Sequence, residues 1–451
     1  MSTAEATRDL KVMLGDPKKA ILAMSGPLIV SFLVVQLNSF ADTTWCSLLG
    51  VAPNSAVSTI APIYWIIAGI GTGLGVGAST AIARYLGRGE KDTADSLVTQ
   101  TIATGAIVSL IAIPIIYVLI DLSISFMGAD DVRDLCREYI DPIVILGMPI
   151  IMSEVMAGIL RAEGAARRST VMLLVAALLN IALDPIFMFG LDLGIAGAGW
   201  ATSISALVST MVGLWWFARG TVYLNMSFKG FRFKPDQIRE VLFVGIPKAT
   251  ESFLISLMSM VQRIFVVLCA GTVGVLLYNS PWRFVSLAQV VSQATGSALI
   301  PIASAALGQD DVGRAAVANR YTVRLTMAIM VVISALLFVF ADYAVIPFTL
   351  SESMAELRPM LAHVLRIYAL VIPFMGLIDI GSSILQSLRL AQMSMVLAFL
   401  RNLFLVVMLF FSYTVSLDAL FYSVLATEVF GGLSMIAVAA YEFKKKTRTP
   451  A

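Results

Sequence analysis

The stretch "GIGTGLGVG", residues 69 to 77, carries a glycine at every second position inside a long apolar run. In a helix, Gly69, Gly73 and Gly77 share one face, whereas Gly71 and Gly75 share another. Small residues spaced four apart let neighbouring membrane helices approach closely. The pattern therefore predicts a helix with two close-packing faces. The chain has no Walker sequence, G-x-x-x-x-G-K-[ST], so we do not expect ATP to be its energy source.

The apolar runs continue along the whole chain. Of its 451 residues, 59% are hydrophobic and 13% are charged, a composition typical of integral membrane proteins. A helix of about 20 apolar residues crosses a hydrocarbon core of roughly 30 Å. We predict twelve such spans, centred near residues 33, 68, 108, 150, 178, 206, 255, 290, 328, 372, 402 and 430.

Basic residues indicate how these spans are oriented. Most of the 31 lysines and arginines fall in the N-terminal segment, in every second connection and in the C-terminal segment. The intervening connections contain only Arg133, Arg137 and Arg358. Since lysine and arginine accumulate on the cytoplasmic side, we predict a multi-pass protein of the cell membrane with both termini in the cytoplasm.

The two halves of the sequence resemble each other at a steady offset. Pro27 and Pro247 stand 220 residues apart, and Asn180 and Asn402 stand 222 apart, on either side of a polar stretch at 219–239. Because each half holds an even number of spans, the repeat is parallel. We predict an all-α membrane protein with two six-helix bundles, an N-terminal lobe at 1–225 and a C-terminal lobe at 226–451. Such bundles leave a central cavity, as in a transporter.

Two acidic residues fall within predicted spans at similar depth. An ionised side chain at the bilayer centre costs about 2.5 to 3.5 kcal/mol, so it normally faces a cavity or a partner. Asp42, Asp184 and Thr202 each lie a few residues from the external end of a span. Asn38 and Asn180 precede the two acids by four residues, on the same helix faces. The carboxylate, amide and hydroxyl oxygens at this depth suit a site for Na⁺ or for a shared proton.

Several segments resemble the multidrug and toxic compound extrusion (MATE) family, most of all its archaeal and DinF-type branch. They are "GDPKKAIL", "FADTTW", "GLGVGAS", "GILRAEG" and "LNIALDPIF". The resemblance implies that Asp42, Asn180, Asp184 and Thr202 form a cation site, with Tyr139 beside it. Glu154 replaces an amide and Asn38 replaces an aromatic residue of that pattern, so both are candidate substrate contacts.

We predict a cation-coupled antiporter that exports amphipathic, often cationic organic compounds, with the lipid bilayer as its only other partner. Candidate substrate contacts are Asn38, Tyr139, Glu154, Glu251 and Asp379, the last two in the second half. We expect a monomer that binds no nucleic acid, holds no cofactor and catalyses no reaction. A flippase for a lipid or lipid-linked precursor is the alternative, because the arginines within spans lie in the second half.

Overall fold

The structure, a computed structural model, describes residues 3–126, 130–349 and 355–448. Its described part is built from helices. Eleven of them are long and apolar enough to cross a membrane, and a bent pair raises this number to twelve. The predicted twelve spans and the all-α fold class are therefore confirmed.

The first bundle follows a short N-terminal helix, α1 (Thr3–Leu14). Its spans are α2 (Pro17–Leu48), α3 (Val51–Gly87), α4 (Lys91–Phe126), α5 (Arg133–Ile145) with α6 (Gly147–Ala162), α7 (Ala166–Pro185) and α8 (Gly194–Ala218). The spans of the second bundle are α9 (Pro235–Gly271), α10 (Val273–Gly308), α11 (Val312–Val339), α13 (Arg358–Ser387), α14 (Ala391–Ser412) and α15 (Leu417–Arg448). A four-residue helix, α12 (Ala341–Ala344), connects α11 to α13.

The fourth span is a broken helix, which the sequence analysis did not predict. The helix axis bends by 54° between α5 and α6. Leu146 between them leaves helical geometry, with φ −101° and ψ 26°. Pro149 contributes to the break, since it has no N–H to donate to the carbonyl four residues earlier. The bend separates α5, which carries Tyr139, from α6, which carries Glu154.

The connection between α9 and α10 is only a few residues long. Gly271 has φ 57° and ψ −147°, a conformation that residues with a side chain adopt rarely. No atom lies near the position of a Cβ at this glycine. Glycine is therefore present here for its backbone freedom and not for close packing.

The two glycine faces of α3 pack as predicted. A Cβ atom added at Gly73 would lie 2.5 Å from the carbonyl oxygen of Gly245, and one at Gly77 would lie 2.1 Å from that of Val241. Both carbonyls belong to α9, so this face joins the two bundles. On the other face, a Cβ at Gly75 would lie 2.7 Å from the carbonyl oxygen of Glu154 in α6. Helix α3 therefore contacts both bundles at backbone distance.

Both described chain ends lie at one end of the molecule, here called the terminal face; the opposite end is called the far face. The terminal face also contains the connections at 88–90, 163–165, 219–234, 309–311 and 388–390. Hydrogen bonds join the bundles here. Arg84 Nη2 donates to the carbonyl of Ser387 at 3.2 Å, and Ser96 Oγ lies 2.8 Å from Gln237 Oε1. Arg314 Nη2 donates to the carbonyl of Met13 in α1 at 2.6 Å.

Replacing Gly77 with alanine should weaken the contact between α3 and α9. The new methyl group would overlap the Val241 carbonyl, and overpacking of this kind costs about 1–3 kcal/mol. We expect a lower thermal unfolding midpoint of the purified protein in detergent. Gly26→Ala is the control, because a Cβ at Gly26 meets no atom within 4 Å. Equal midpoints for the two variants would contradict this account of the interface.

Glu163 gives the terminal face a predicted pH dependence. Burial raises the pKa of its carboxyl group from 4.5 to about 7, although its Oε2 accepts a hydrogen bond from the Leu224 N–H at 2.9 Å. Between pH 4.5 and 7, the folded chain therefore holds a proton that the unfolded chain releases. The contribution of Glu163 to stability consequently falls as the pH rises through this window, and it is constant above it.

Glu163→Gln removes this titration. As the pH rises from 4.5 to 7, the thermal unfolding midpoint of the variant should therefore increase relative to that of the unaltered chain. Thermal unfolding in detergent across this range measures the difference. Glu90→Gln, at an exposed carboxylate on the same face, controls for the loss of one acid. Parallel pH curves for the Glu163 variant and the unaltered chain would show that Glu163 does not titrate in this way.

Candidate cation and substrate site

Asn180 joins three helices of the first bundle. Its Nδ2 donates to Asp184 Oδ1 at 2.9 Å, one turn further along α7. The same nitrogen lies 3.4 Å from Thr202 Oγ1 on α8. Its Oδ1 accepts a hydrogen bond of 2.8 Å from Asn38 Nδ2 on α2. The structure therefore brings four of the predicted site residues into one polar cluster.

Two oxygen atoms of this cluster are buried without a hydrogen-bond partner. They are Asp184 Oδ2, on a fully buried side chain, and Asn38 Oδ1. A buried acceptor that lacks a partner is costly, so native proteins normally satisfy such atoms. A hard cation coordinated by oxygen, or a proton on the carboxylate, would satisfy the Asp184 oxygen. The donor set of the cluster therefore fits either coupling ion.

Asp42 completes the cluster from α2. The Tyr139 hydroxyl lies close to its carboxylate, and the Asp42 side chain is half-buried. Asp184 lies close enough to Asp42 for the two charges to interact. Tyr139, a candidate substrate contact, thus lies directly against a candidate cation ligand, and it is almost fully buried.

The predicted common depth agrees with the helix ends. Asp42 lies six residues before the end of α2 at Leu48. Asp184 lies six residues before Gly190, the last residue of a π-helical turn that extends α7. At 1.5 Å per residue, both carboxylates lie about 9 Å below the far ends of their helices.

Glu154, on α6, has no described hydrogen bond to the cluster around Asn180. It is half-buried and lies beside Thr72 of α3. Tyr64, also of α3, lies within electrostatic range of both Glu154 and Asp42. The sequence analysis missed Tyr64. A tyrosine among the apolar residues of an otherwise helix-packing segment was the available signal.

The acids of the second bundle form a separate group. Glu251 is buried, with Lys248 Nζ 3.4 Å from its Oε2 and with Ser382 and Ser394 hydroxyls at 3.3 Å. Its carboxylate is therefore already neutralised by a lysine of the same helix. The sequence analysis missed Lys248, although a lysine directly after Pro247 inside a span was visible.

Asp379 is the second acid of this group. Ser292 Oγ donates to its Oδ2 at 2.5 Å, and Gln289 Nε2 lies 3.5 Å from the same oxygen. The side chain is half-buried and within electrostatic range of Lys248 and Glu251. The structure therefore does not bring Glu251 and Asp379 to the cluster around Asn180.

Both bundles of the chain match a known protein family. The MatE family model matches residues 27–186 and 247–411, which cover most of both bundles. This chain belongs to the MatE family. The resemblance to the MATE family is thereby confirmed, and the two matched segments correspond to the two halves of the repeat.

Among curated relatives of this MatE chain is the Multidrug export protein MepA of Staphylococcus aureus. It is 26% identical over 292 residues, which make up 63% of this chain and 63% of the relative. The chain thus spans less than two thirds of the length of that relative in the alignment.

Two solved structures match the MatE chain over nearly its whole length. One is a MOP superfamily transporter from Pyrococcus furiosus, described as having a binding pocket of reverse polarity that suggests a different function. It has a TM-score of 0.92 and 26% identity, and the match covers 98% of this chain and 99% of the other. The second is a multidrug resistance MATE family transporter in an outward-facing conformation, with a TM-score of 0.91, 25% identity and coverage of 97% and 98%.

Asn180→Ala should destabilise the MatE chain. The change removes the bonds from Asn180 to Asn38, Asp184 and Thr202, and each polar group left buried without a partner costs about 1–3 kcal/mol. We expect a clearly lower thermal unfolding midpoint in detergent. Asn54→Ala is the control, because Asn54 Oδ1 is buried without a hydrogen bond. If both variants unfold alike, Asn180 does not hold the three helices together.

Proposed function

We propose that this chain is a cation-coupled antiporter that exports amphipathic, often cationic organic compounds by alternating access of its two bundles. The observation that carries the proposal is the cluster around Asn180, where Asp184 Oδ2 is buried and lacks a partner. A site of this kind gains a bond when Na⁺ or H⁺ enters. Family membership and the multidrug export role of the MepA relatives support the same conclusion.

The proposed orientation places the terminal face in the cytoplasm. The bias of lysine and arginine towards the connections of that face supports it. The contacts between bundles at Arg84 and at Ser96 would then close the cytoplasmic side. Asp42 and Asp184 would lie near the external side, within reach of ions that enter from outside. In this orientation the structure would be closed to the cytoplasm and open to the outside. The likeness to an outward-facing MATE transporter supports this proposal.

Coupling requires that the ion and the organic compound favour different states. A ligand shifts a conformational equilibrium only by its difference in affinity for the two states. In the proposed scheme, ion binding at Asp42 and Asp184 neutralises charge in the first bundle and rearranges the hydrogen bonds of Asn180. The cavity would then hold a cationic compound less tightly and release it outside.

Half-buried acids support the choice of a cationic substrate. Asp42, Glu154 and Asp379 are all partly accessible at membrane depth, where an organic cation would meet them. Apolar helix faces around them would accept the hydrophobic part of the same molecule. We further propose a monomer whose lobes divide at residues 225 and 226.

A flippase for a lipid-linked precursor is the second candidate. Arg263 and Arg283 favour it, because both lie within spans of the second bundle and are exposed. The reverse pocket polarity described for the Pyrococcus furiosus neighbour gives it further support. Lys248, in contrast, is paired with Glu251. Reconstituted vesicles distinguish the two functions, since an antiporter moves a cationic dye under an ion gradient and a flippase equilibrates a labelled lipid without one.

Asp184→Asn should abolish dye transport driven by an imposed Na⁺ or pH gradient, while membrane insertion stays intact. The variant keeps the shape of the side chain and removes the charge that would bind the ion. Uptake by proteoliposomes, with each gradient applied separately, measures the effect and identifies the ion. Asp192→Asn is the matched control, because Asp192 is an exposed carboxylate of the connection between α7 and α8. Full gradient-driven transport by the Asp184 variant would refute the proposed site.

A further inference from the structure

The repeat assigns a counterpart in the second bundle to each residue of the cluster. Asn402 stands 222 residues after Asn180, on the fifth span of its own bundle. Asn180 lies ten residues before the end of its span at Gly190, and Asn402 lies ten residues before the end of α14 at Ser412. Both asparagines thus lie about 15 Å below the far ends of their helices.

The acids of the first cluster have no acidic counterparts. With the same offset, Val406 corresponds to Asp184 and Val424 to Thr202. The offset of the prolines, 220 residues, makes Gln262 the counterpart of Asp42. An amide and two valines thus replace two carboxylates and a hydroxyl. Of these three counterparts, only Gln262 has a side-chain oxygen, and none carries a charge.

The second bundle has a positively charged side chain, Arg401, next to Asn402. Arg401 places its Nη1 3.2 Å from Glu428 Oε2 on α15, and its Nη2 donates to Asn402 Oδ1 at 3.3 Å. The side chains of Arg401 and Glu428 are only 15% and 7% exposed. Gly431 provides the space, because a Cβ at this position would lie 2.5 Å from Arg401 Cδ.

A second polar contact, at the counterpart of Asp42, lies near this pair. The Tyr278 hydroxyl on α10 donates to Gln262 Oε1, and Tyr278 lies within electrostatic range of Glu428. Arg401 and Tyr278 are the titratable side chains that the described contacts place around Glu428. One hydrogen-bonded pair, Gln262 with Tyr278, therefore lies near a second polar group of Glu428, Arg401 and Asn402.

We propose that Arg401 is a fixed internal cation that takes, in the second bundle, the place of the exchangeable ion of the first. A guanidinium group stays charged at every physiological pH and cannot leave. Glu428 therefore has a permanent counter-charge and does not need an exchangeable cation. The inference rests on the proposed function, because it assigns ion exchange to the cluster around Asn180 and to the first bundle.

The test uses purified full-length chains in which Asp184→Asn has disabled the proposed ion site. Their thermal unfolding midpoint is titrated with NaCl against choline chloride at constant ionic strength and, in a second series, with pH. Adding Arg401→Met should create a new dependence on Na⁺ or pH, because Glu428 has lost its counter-charge. Adding Glu428→Gln to that chain should remove the new dependence. Arg401→Lys, which keeps the positive charge, is the matched control and should create none.

A chain with Asp184→Asn and Arg401→Met that shows no new dependence would overturn the inference. Glu428→Gln alone covers the case in which Arg401→Met fails to fold. That single variant should keep the ion titration of the unaltered chain, and loss of the titration would show that Glu428 exchanges an ion. Failure of the proposed function is a different result, since Asp184→Asn alone would then keep the full titration of the unaltered chain.

Discussion

Helix α3 holds the molecule together through backbone contact on two sides. Its Gly73 and Gly77 lie against carbonyl oxygens of α9, and its Gly75 lies against that of Glu154 in α6. Between membrane helices, lipid provides little hydrophobic driving force, so such close van der Waals contact is a main source of stability. The distance between the bundles, and the place of Glu154 beside Thr72, follow from the glycines at the contact faces of α3.

A contact of this type also suits a joint between parts that move. Interdigitated large side chains would resist separation, whereas two smooth faces can part without changing rotamers. The polar contacts that accompany the glycines, such as Arg84 to the Ser387 carbonyl, lie at the terminal face. Were these contacts to open, as the proposed function requires, the first bundle would keep its own core, because α6 packs on the other face of α3.

The sequence was sufficient for features that depend on position along a helix axis. Spacing of four identified the two glycine faces, and rise per residue placed Asp42 and Asp184 at one depth. It was insufficient for features that depend on rotation about an axis or on side-chain reach. Pro149 lies next to the break at Leu146, but a proline alone does not identify a broken span, since Pro27 and Pro62 lie inside continuous helices. Lys248 and Glu251 stand three residues apart and so share a helix face, but the spacing does not show which of its neighbours the flexible lysine contacts.

Buried carboxylates are stabilised differently in the two bundles. A buried carboxylate needs a counter-charge, a proton or several hydrogen bonds. Glu251 and Glu428 receive theirs from Lys248 and Arg401, which are covalently part of the chain. Asp184 has one bond from Asn180 and one oxygen without a partner. In the proposed function, the missing partner of Asp184 is supplied from solution, and the hydrogen bonds of Asn180 would pass the effect of the ion to α2 and α8.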